Sequence, residues 1–314
     1  MLAAIMPHLA AADVEIGPGD DAAVLPLAAA RTVVTTDSMV LDLDWRDDWS
    51  SAQDVGVKVI AQNIADVVAM GARPTGVVVA LATEQRTRVD WLVELTDGMA
   101  DELRRAGCGA LGGDLSGAAD GTVVITVTAL GALAPGAPAL TRGAARPGQV
   151  LVVSDRLGRS HAGLLVLSGD VEPGDAVARE CVSFHRAPRP RYAGAEAVDA
   201  GMRVAMDVSD GLGRDAARLA AASGVSIELD LEALEEMAAP LRPLMGRRAL
   251  ECVLTGGEEH CLLGTCDPAA VPSGWHIIGR IVEPVAGRPG VTLDGQDVVD
   301  LGWTHYERTG APTL

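Results

Sequence analysis

Aromatic side chains are scarce in this chain: its 314 residues include one Phe and two Tyr. The interior must therefore be filled by Val, Leu, Ala and Ile, and at 48% hydrophobic residues there is enough apolar material for a large core. Abundant Ala and Gly point to close packing of helices on a sheet. Positive charge is also in short supply. Lys and Arg number 25 against 43 Asp and Glu, a formal charge of −18 that argues against nucleic acid or an anionic membrane as partners. The five cysteines form no CxxC pair, and an odd number in a long chain argues against both a disulfide framework and a zinc site; free, mostly buried thiols are expected. Residues 1–12 are apolar, yet they lack a basic leader and are too short to span a bilayer, so a soluble, cytoplasmic protein is expected. The common nucleotide and hydrolase signatures are missing too: no GxxxxGK[ST], no HRD/DFG pair, no GxGxxG after a strand and no GxSxG.

What the chain does have is a set of strands and helices punctuated by glycine. Its length suits two domains, and the Pro/Gly-rich stretch from Ala134 to Gly148 is the best linker, giving 1–140 and 141–314. Residues 1–12 suit a short helix, followed by a turn over Gly17–Asp21. Residues 32–37 read as a buried strand, and the polar stretch from Asp42 to Ser51 as a loop over the site. Asp54 to Met70 has helical spacing, with Val57, Ile60, Ile64 and Val67 on one face. Lys58, Gln62 and Asp66 form a polar stripe four residues apart; spacing alone leaves open a solvated face or a tight polar interior. Helices are expected at 89–106, 160–167, 191–200 and 212–222, with Gly107 and Gly224 as stops. Strands are expected at 76–81, 110–114, 122–130, 150–153, 202–207, 225–231, 261–264 and 275–282. Residues 171–190 read as irregular and 252–260 as a glycine turn. Ser209 or Asp210 is placed at a helix N-cap, where free N–H groups favour anions.

The acids are the informative residues. Most belong to a solvated surface. Five groups, however, sit beside Gly or at the edge of an apolar run: Asp20-Asp21, Thr35-Thr36-Asp37, Asn63 to Asp66, Gly112-Gly113-Asp114 and Asp207 to Asp210. If these corners converge, the carboxylates repel one another unless a cation intervenes. Hard oxygen donors without a matching His/Cys set suit magnesium or manganese. Glycines beside Asp114 and Asp210 let a phosphate approach the backbone. The residues by themselves thus reach a magnesium-dependent nucleotide enzyme.

Taken in order, Gly19-Asp-Asp-Ala-Ala-Val24, Thr35-Thr-Asp37, the stretch Gln62 to Pro74, Gly112-Gly-Asp114, Asp207-Val-Ser-Asp-Gly-Leu212 and Thr255-Gly-Gly-Glu-Glu-His260 resemble the thiamine-monophosphate kinase family, from about residue 17 to Tyr306. The resemblance implies an α/β (α+β) chain with the two-domain aminoimidazole ribonucleotide synthetase-like fold: an N-terminal mixed sheet with helices, which pairs in a homodimer, and a C-terminal α/β domain. It implies ATP-dependent phosphorylation of thiamine monophosphate to thiamine diphosphate, by direct in-line transfer with no side-chain nucleophile. Asp20, Asp21, Thr35, Thr36, Asp37, Asp66, Asp114, Asp207 and Asp210 fall at magnesium positions. Gly113, Asp114, Arg142 and Ser209 fall at ATP positions, which reverses the plain reading of Arg142 as a surface charge. Glu258, Glu259 and Tyr306 fall where the family contacts the thiamine portion. Two departures touch that acceptor side. Asp44 stands where the family carries a substrate-binding His, and Glu259 where a shorter Asp is common. The alternatives are another ATP-dependent enzyme of this superfamily with a different acceptor, and a non-catalytic ATP/magnesium module.

Overall fold

The structure is a computed structural model that describes residues 31–172, 174, 176–284, 287–298 and 302. Asp20, Asp21, Tyr306, the helix expected over residues 1–12 and the Gly17–Asp21 turn lie outside the described residues. Two compact units divide the chain, with their border between Ala137 and Pro138.

The first unit contains β1 (Thr32–Val40), α1 (Ala52–Ala69), β2 (Arg73–Glu84), α2 (Val89–Ala106), β3 (Ala110–Ala118) and β4 (Val123–Ala132). The sheet order is β1-β4-β2-β3; β4 runs antiparallel to both neighbours, and β2 and β3 are parallel. Alternation decides the faces. Val123, Ile125, Val127 and Ala129 of β4 are buried with Met39, Val77 and Leu81, and the helices supply Ile60, Ile64, Val67, Leu92 and Leu103. The opposite face keeps Val34 and Val78 exposed. A capping box starts α1: Asp54 N–H donates to the Ser51 hydroxyl, and Ser51 N–H donates to the Asp54 carboxylate. The two helices meet backbone to backbone. A Cβ on Gly56 would stand 2.1 Å from Leu95 O, and one on Gly98 would stand 2.0 Å from Gln53 O. The polar stripe of α1 lies in a packed interior. Lys58 is 2% exposed, Asn63 is buried, Gln62 and Asp66 are half-buried, and Lys58 Nζ donates to Asp44 O at 3.2 Å.

Arg186–Arg189 also belong to this unit. Arg189 pairs with Asp101 at 3.0 Å and with the fully buried Glu102 at 3.7 Å. This excursion is absent from a reading of the chain as two uninterrupted blocks, because it rests on ion pairs between residues some 88 positions apart.

The second unit contains β5 (Val150–Val153), α3 (Arg159–Leu167), α4 (Ala176–Arg186), α5 (Gly194–Asp199), β6 (Val204–Asp207), α6 (Leu212–Ser223), β7 (Ser226–Leu229), α7 (Leu231–Ala238), α8 (Arg242–Met245), α9 (Ala249–Thr255), β8 (Leu262–Cys266), β9 (His276–Val282), β10 (Gly290–Leu293) and β11 (Gln296–Asp297). Its sheet runs β11-β10-β7-β9-β5-β8-β6, with β10 and β7 the parallel pair. Strands β6 and β8 are buried along their whole length, so both sheet faces are covered there. Leu151, Val153, Ile227, Leu263, Ile278 and Ile281 share one core with Leu212, Leu219 and Val253 of the helices.

The glycine stops hold: Gly107 and Gly224 close α2 and α6 at φ 72° and 67°, in the left-handed region. Three expectations are corrected. Residues 171–190 contain a helix, α4, which buries Ala178, Cys181 and His185. The strand expected to reach Leu231 stops at Leu229, because Asp230 accepts N–H from Glu232 and Ala233 and starts α7. The 252–260 turn begins only after α9. All five cysteines are free, and burial pushes the Cys252 thiol up to about 12. Among the described residues, no helix is long and apolar enough to cross a membrane.

Candidate active site

In the first unit an acidic contact joins the strand and helix layers. Thr35 and Asp37 lie two apart on the helix-facing side of β1, and the Thr35 hydroxyl donates to Asp66 Oδ2 of α1 at 2.8 Å. Asp37 itself is exposed. Thr36 projects to the other face, where its hydroxyl bonds Val127 O and the Thr128 hydroxyl, both at 3.1 Å. Asp44 Oδ2 accepts Val40 N–H at 2.7 Å and closes the turn after β1, so its carboxylate is engaged in holding the chain. Asp114 is on β3, beside Ala80, and accepts the Ser116 hydroxyl at 2.6 Å. Gly113 is required by pairing: a Cβ there would stand 2.2 Å from Val79 O.

Within one copy the register separates Asp37 from Asp114. Asp37 pairs with Val127, Val127 with Val79, and Val79 with Gly113. Asp37 and Asp114 thus sit near one row but at opposite sheet edges, three strand spacings or about 14 Å apart. They also face opposite sides. Among the described residues, no group of three or more His, Cys, Asp or Glu side chains is close enough to hold a metal.

The second unit builds a tighter arrangement at one end of its sheet. There β5 and β6 leave and the antiparallel β8 enters, which brings the segments after Val153, after Asp207 and before Leu262 together. Two turns interlock. Glu258 N–H donates to Ser209 O and His260 N–H to Val208 O, both at 2.8 Å. Glycine makes this contact possible: a Cβ on Gly211 would stand 2.6 Å from Thr255 O, and one on Gly257 would stand 2.5 Å from Ser209 O. Gly211 holds φ 109°, and Glu258 and His260 hold φ 59° and 54°, an uncommon conformation for side-chain-bearing residues.

Asp207 Oδ2 lies 3.4 Å from His260 Nδ1, and Asp210 Oδ2 lies 2.5 Å from an Arg218 guanidinium nitrogen. The expected N-cap role of Ser209 or Asp210 is not seen. Gly211 precedes α6, and Asp215 inside the first turn accepts the N–H groups of Ser209 and Asp210 instead. Burial first, and the charge of Asp207 second, push the Asp215 carboxyl up to about 7. Arg142 has an exposed side chain, and its carbonyl accepts the Ser223 hydroxyl.

Of the two acceptor-side acids, Glu258 is half-buried, with Oε2 3.4 Å from His185 Nδ1. That imidazole also meets the Ser160 hydroxyl at 3.0 Å. Glu259 is fully buried. Its Oε1 accepts Ser160 N–H at 2.8 Å at the start of α3, its Oε2 lies 3.9 Å from Arg159 Nε, and burial pushes its carboxyl up to about 7. Here Glu259 supports α3 from below. Asp215, Arg218, His185, Ser160 and Arg159 were missed in the sequence. A lone acid and an arginine three apart at the start of an apolar helix were the available signal for the first two.

The N-terminal domain of AIR synthase related proteins matches residues 19–133, and the C-terminal domain of the same proteins matches residues 146–286. A thiamine-monophosphate kinase from Mycobacterium tuberculosis (strain H37Rv) is 41% identical over 299 residues, covering 94% of this chain and 85% of the relative. Among solved structures, a thiamine-monophosphate kinase from Stenotrophomonas maltophilia superposes with TM-score 0.80 at 30% identity, covering 91% of this chain and 92% of that one. AaThiL complexed with AMPPCP and TMP superposes with TM-score 0.77 at 28% identity, covering 92% and 91%. Two matched domains and a 41% identical relative across nearly the whole length leave one placement: the chain belongs to the thiamine-monophosphate kinase family, built on the AIR synthase related domains.

Proposed function

We propose that this chain phosphorylates thiamine monophosphate with ATP, giving thiamine diphosphate and ADP by direct in-line transfer. The names of the relatives and the ligands of the AaThiL complex support the substrates. The mechanism is carried by one observation: the main-chain bonds from Glu258 to Ser209 and from His260 to Val208. They hold the turn of candidate phosphate contacts at a fixed distance from the turn of candidate acceptor contacts. Phosphoryl transfer asks the protein mainly for such positioning. An oxygen of the acceptor phosphate attacks the γ-phosphorus, the bond to the β–γ bridging oxygen breaks, and ADP leaves. Ser209 and Arg142 would orient the triphosphate, and Gly113 and Asp114 are further candidate ATP contacts. Glu258 would face the thiazolium cation, with Tyr306 and Asp44 as further candidates.

The donor set of Asp20, Asp21, Thr35, Thr36, Asp37, Asp66, Asp114, Asp207 and Asp210 consists of carboxylate and hydroxyl oxygens and fits magnesium. When bound, the ions neutralise phosphate charge. Thr35, Asp37 and Asp66 would hold one group, Asp207 and Asp210 another. The exposed face of the first sheet, with Val34 and Val78, would be covered by a second copy in a homodimer. A cytoplasmic location fits a small-molecule kinase.

Purified protein with ATP, magnesium and thiamine monophosphate should yield thiamine diphosphate and ADP, resolved by chromatography, with all turnover lost in excess EDTA. ATP binding without product would favour a non-catalytic module. A second reading, a different phosphorylated acceptor, is favoured by the engaged carboxylate of Asp44 and the burial of Glu259. A panel of phosphorylated acceptors in the same assay separates the two.

A further inference from the structure

Asp215 is fully buried in the first turn of α6. Its Oδ2 accepts the N–H of Ser209 at 3.1 Å and of Asp210 at 3.0 Å. Its Oδ1 accepts Arg218 at 2.9 Å, and the same guanidinium nitrogen lies 2.5 Å from Asp210 Oδ2. One carboxylate therefore fixes residue 210 twice, at the main chain directly and at the side chain through a shared cation. An aspartate and an arginine three apart on a helix usually form a weak surface pair. This aspartate is withdrawn from water and lies near Asp207, a placement that costs free energy in any fold that needs only a helix start.

We propose that Asp215 is a positioning residue for the divalent ion and nucleotide bound at the Asp207–Asp210 turn, setting the direction in which Asp210 and the Ser209 amide meet them. The inference rests on the reading of Asp210 as a metal ligand. Hydrogen-bonded supports behind ligating carboxylates govern affinity, and their loss weakens metal binding about 10–100-fold. Asp230 supplies a control. It accepts two main-chain N–H groups, at 3.0 and 3.2 Å, in a turn with no candidate ligand.

The test is Mn²⁺ binding to the full chain, followed by the electron paramagnetic resonance of free Mn²⁺, with and without a non-hydrolysable ATP analogue. Asp215→Asn should bind Mn²⁺ about tenfold more weakly or worse, with an unchanged circular dichroism spectrum. Asp230→Asn should melt at a lower temperature and bind Mn²⁺ as the parent does. Wild-type Mn²⁺ affinity in folded Asp215→Asn overturns the inference, and so does an equal loss in Asp230→Asn. If Asp215→Asn does not fold, Asp215→Glu keeps the charge and moves the carboxylate by one methylene. Weakened Mn²⁺ binding is again the expected result, and wild-type binding again overturns it. Asp210→Asn is measured alongside: unchanged Mn²⁺ affinity there removes the metal-ligand reading itself.

Discussion

In the first unit Asp66 accepts the Thr35 hydroxyl and Asp37 stands exposed on an edge strand, with Asp114 at the far edge of the same sheet. In the second, Asp207 and Asp210 sit in a turn that is bonded to its neighbour through the main chain and faced by His260 and Arg218. The acids of the second unit sit on a turn fixed by main-chain bonds, with Arg218 beside Asp210 and His260 beside Asp207. Those of the first are spread over two strands and a helix, with Asp37 and Asp114 at opposite sheet edges. Disruption should therefore show differently: in the second unit with or without ligand, in the first chiefly when magnesium and ATP are present.

The largest effect is expected from Asp210→Asn. Removing a carboxylate that would hold the ion facing transition-state charge should cost about 10²-fold or more in kcat, read as thiamine diphosphate formed per second. Parent-like turnover would place Asp210 outside the site. Gly211→Ala comes next. At φ 109°, with its new Cβ 2.6 Å from Thr255 O, it should lose about 1–3 kcal/mol. Calorimetry should find that loss both in EDTA and with magnesium–ATP; a loss confined to one condition would break the contrast. Thr35→Val removes a bond of about 0.5–1.5 kcal/mol to Asp66. It should raise the magnesium concentration needed for half-maximal turnover more than it lowers the melting temperature in EDTA.

The smallest effect concerns Glu259→Gln and pH. Burial raises the folded carboxyl from its ordinary 4.5 to about 7, so between those values the native state keeps a proton that the unfolded chain has released. Its contribution is fully present below pH 4.5 and is lost as pH rises through 7. The parent should therefore lose more melting temperature between pH 5 and 8 than Glu259→Gln does. Parallel curves would show that the carboxyl titrates normally.

Much of the fold was legible where one residue type has one physical use. Gly107 and Gly224 mark helix ends because a left-handed cap favours glycine, and the Val/Thr alternation of β4 marks a sheet with one buried face. Helix α4 was hidden because its buried side includes His185 and Cys181 in place of a Leu stripe, and prolines follow it. The start of α7 was hidden because Val225 to Leu231 alternates like a strand until Asp230 captures two N–H groups. For the site, motif order pointed to the acids. It said nothing of strand order, which sends Asp37 and Asp114 to opposite edges, nor of Asp215, whose role arises only when α6 folds back on the turn before it.

Lys58 is the single lysine of the sequence and is 2% exposed, with its amine on Asp44 O. Acylating reagents that target side-chain amines thus meet no accessible lysine on the native surface. Modification at that position would require α1 to open, so the rate of acylation would serve as a built-in chemical clock for unfolding of the first unit.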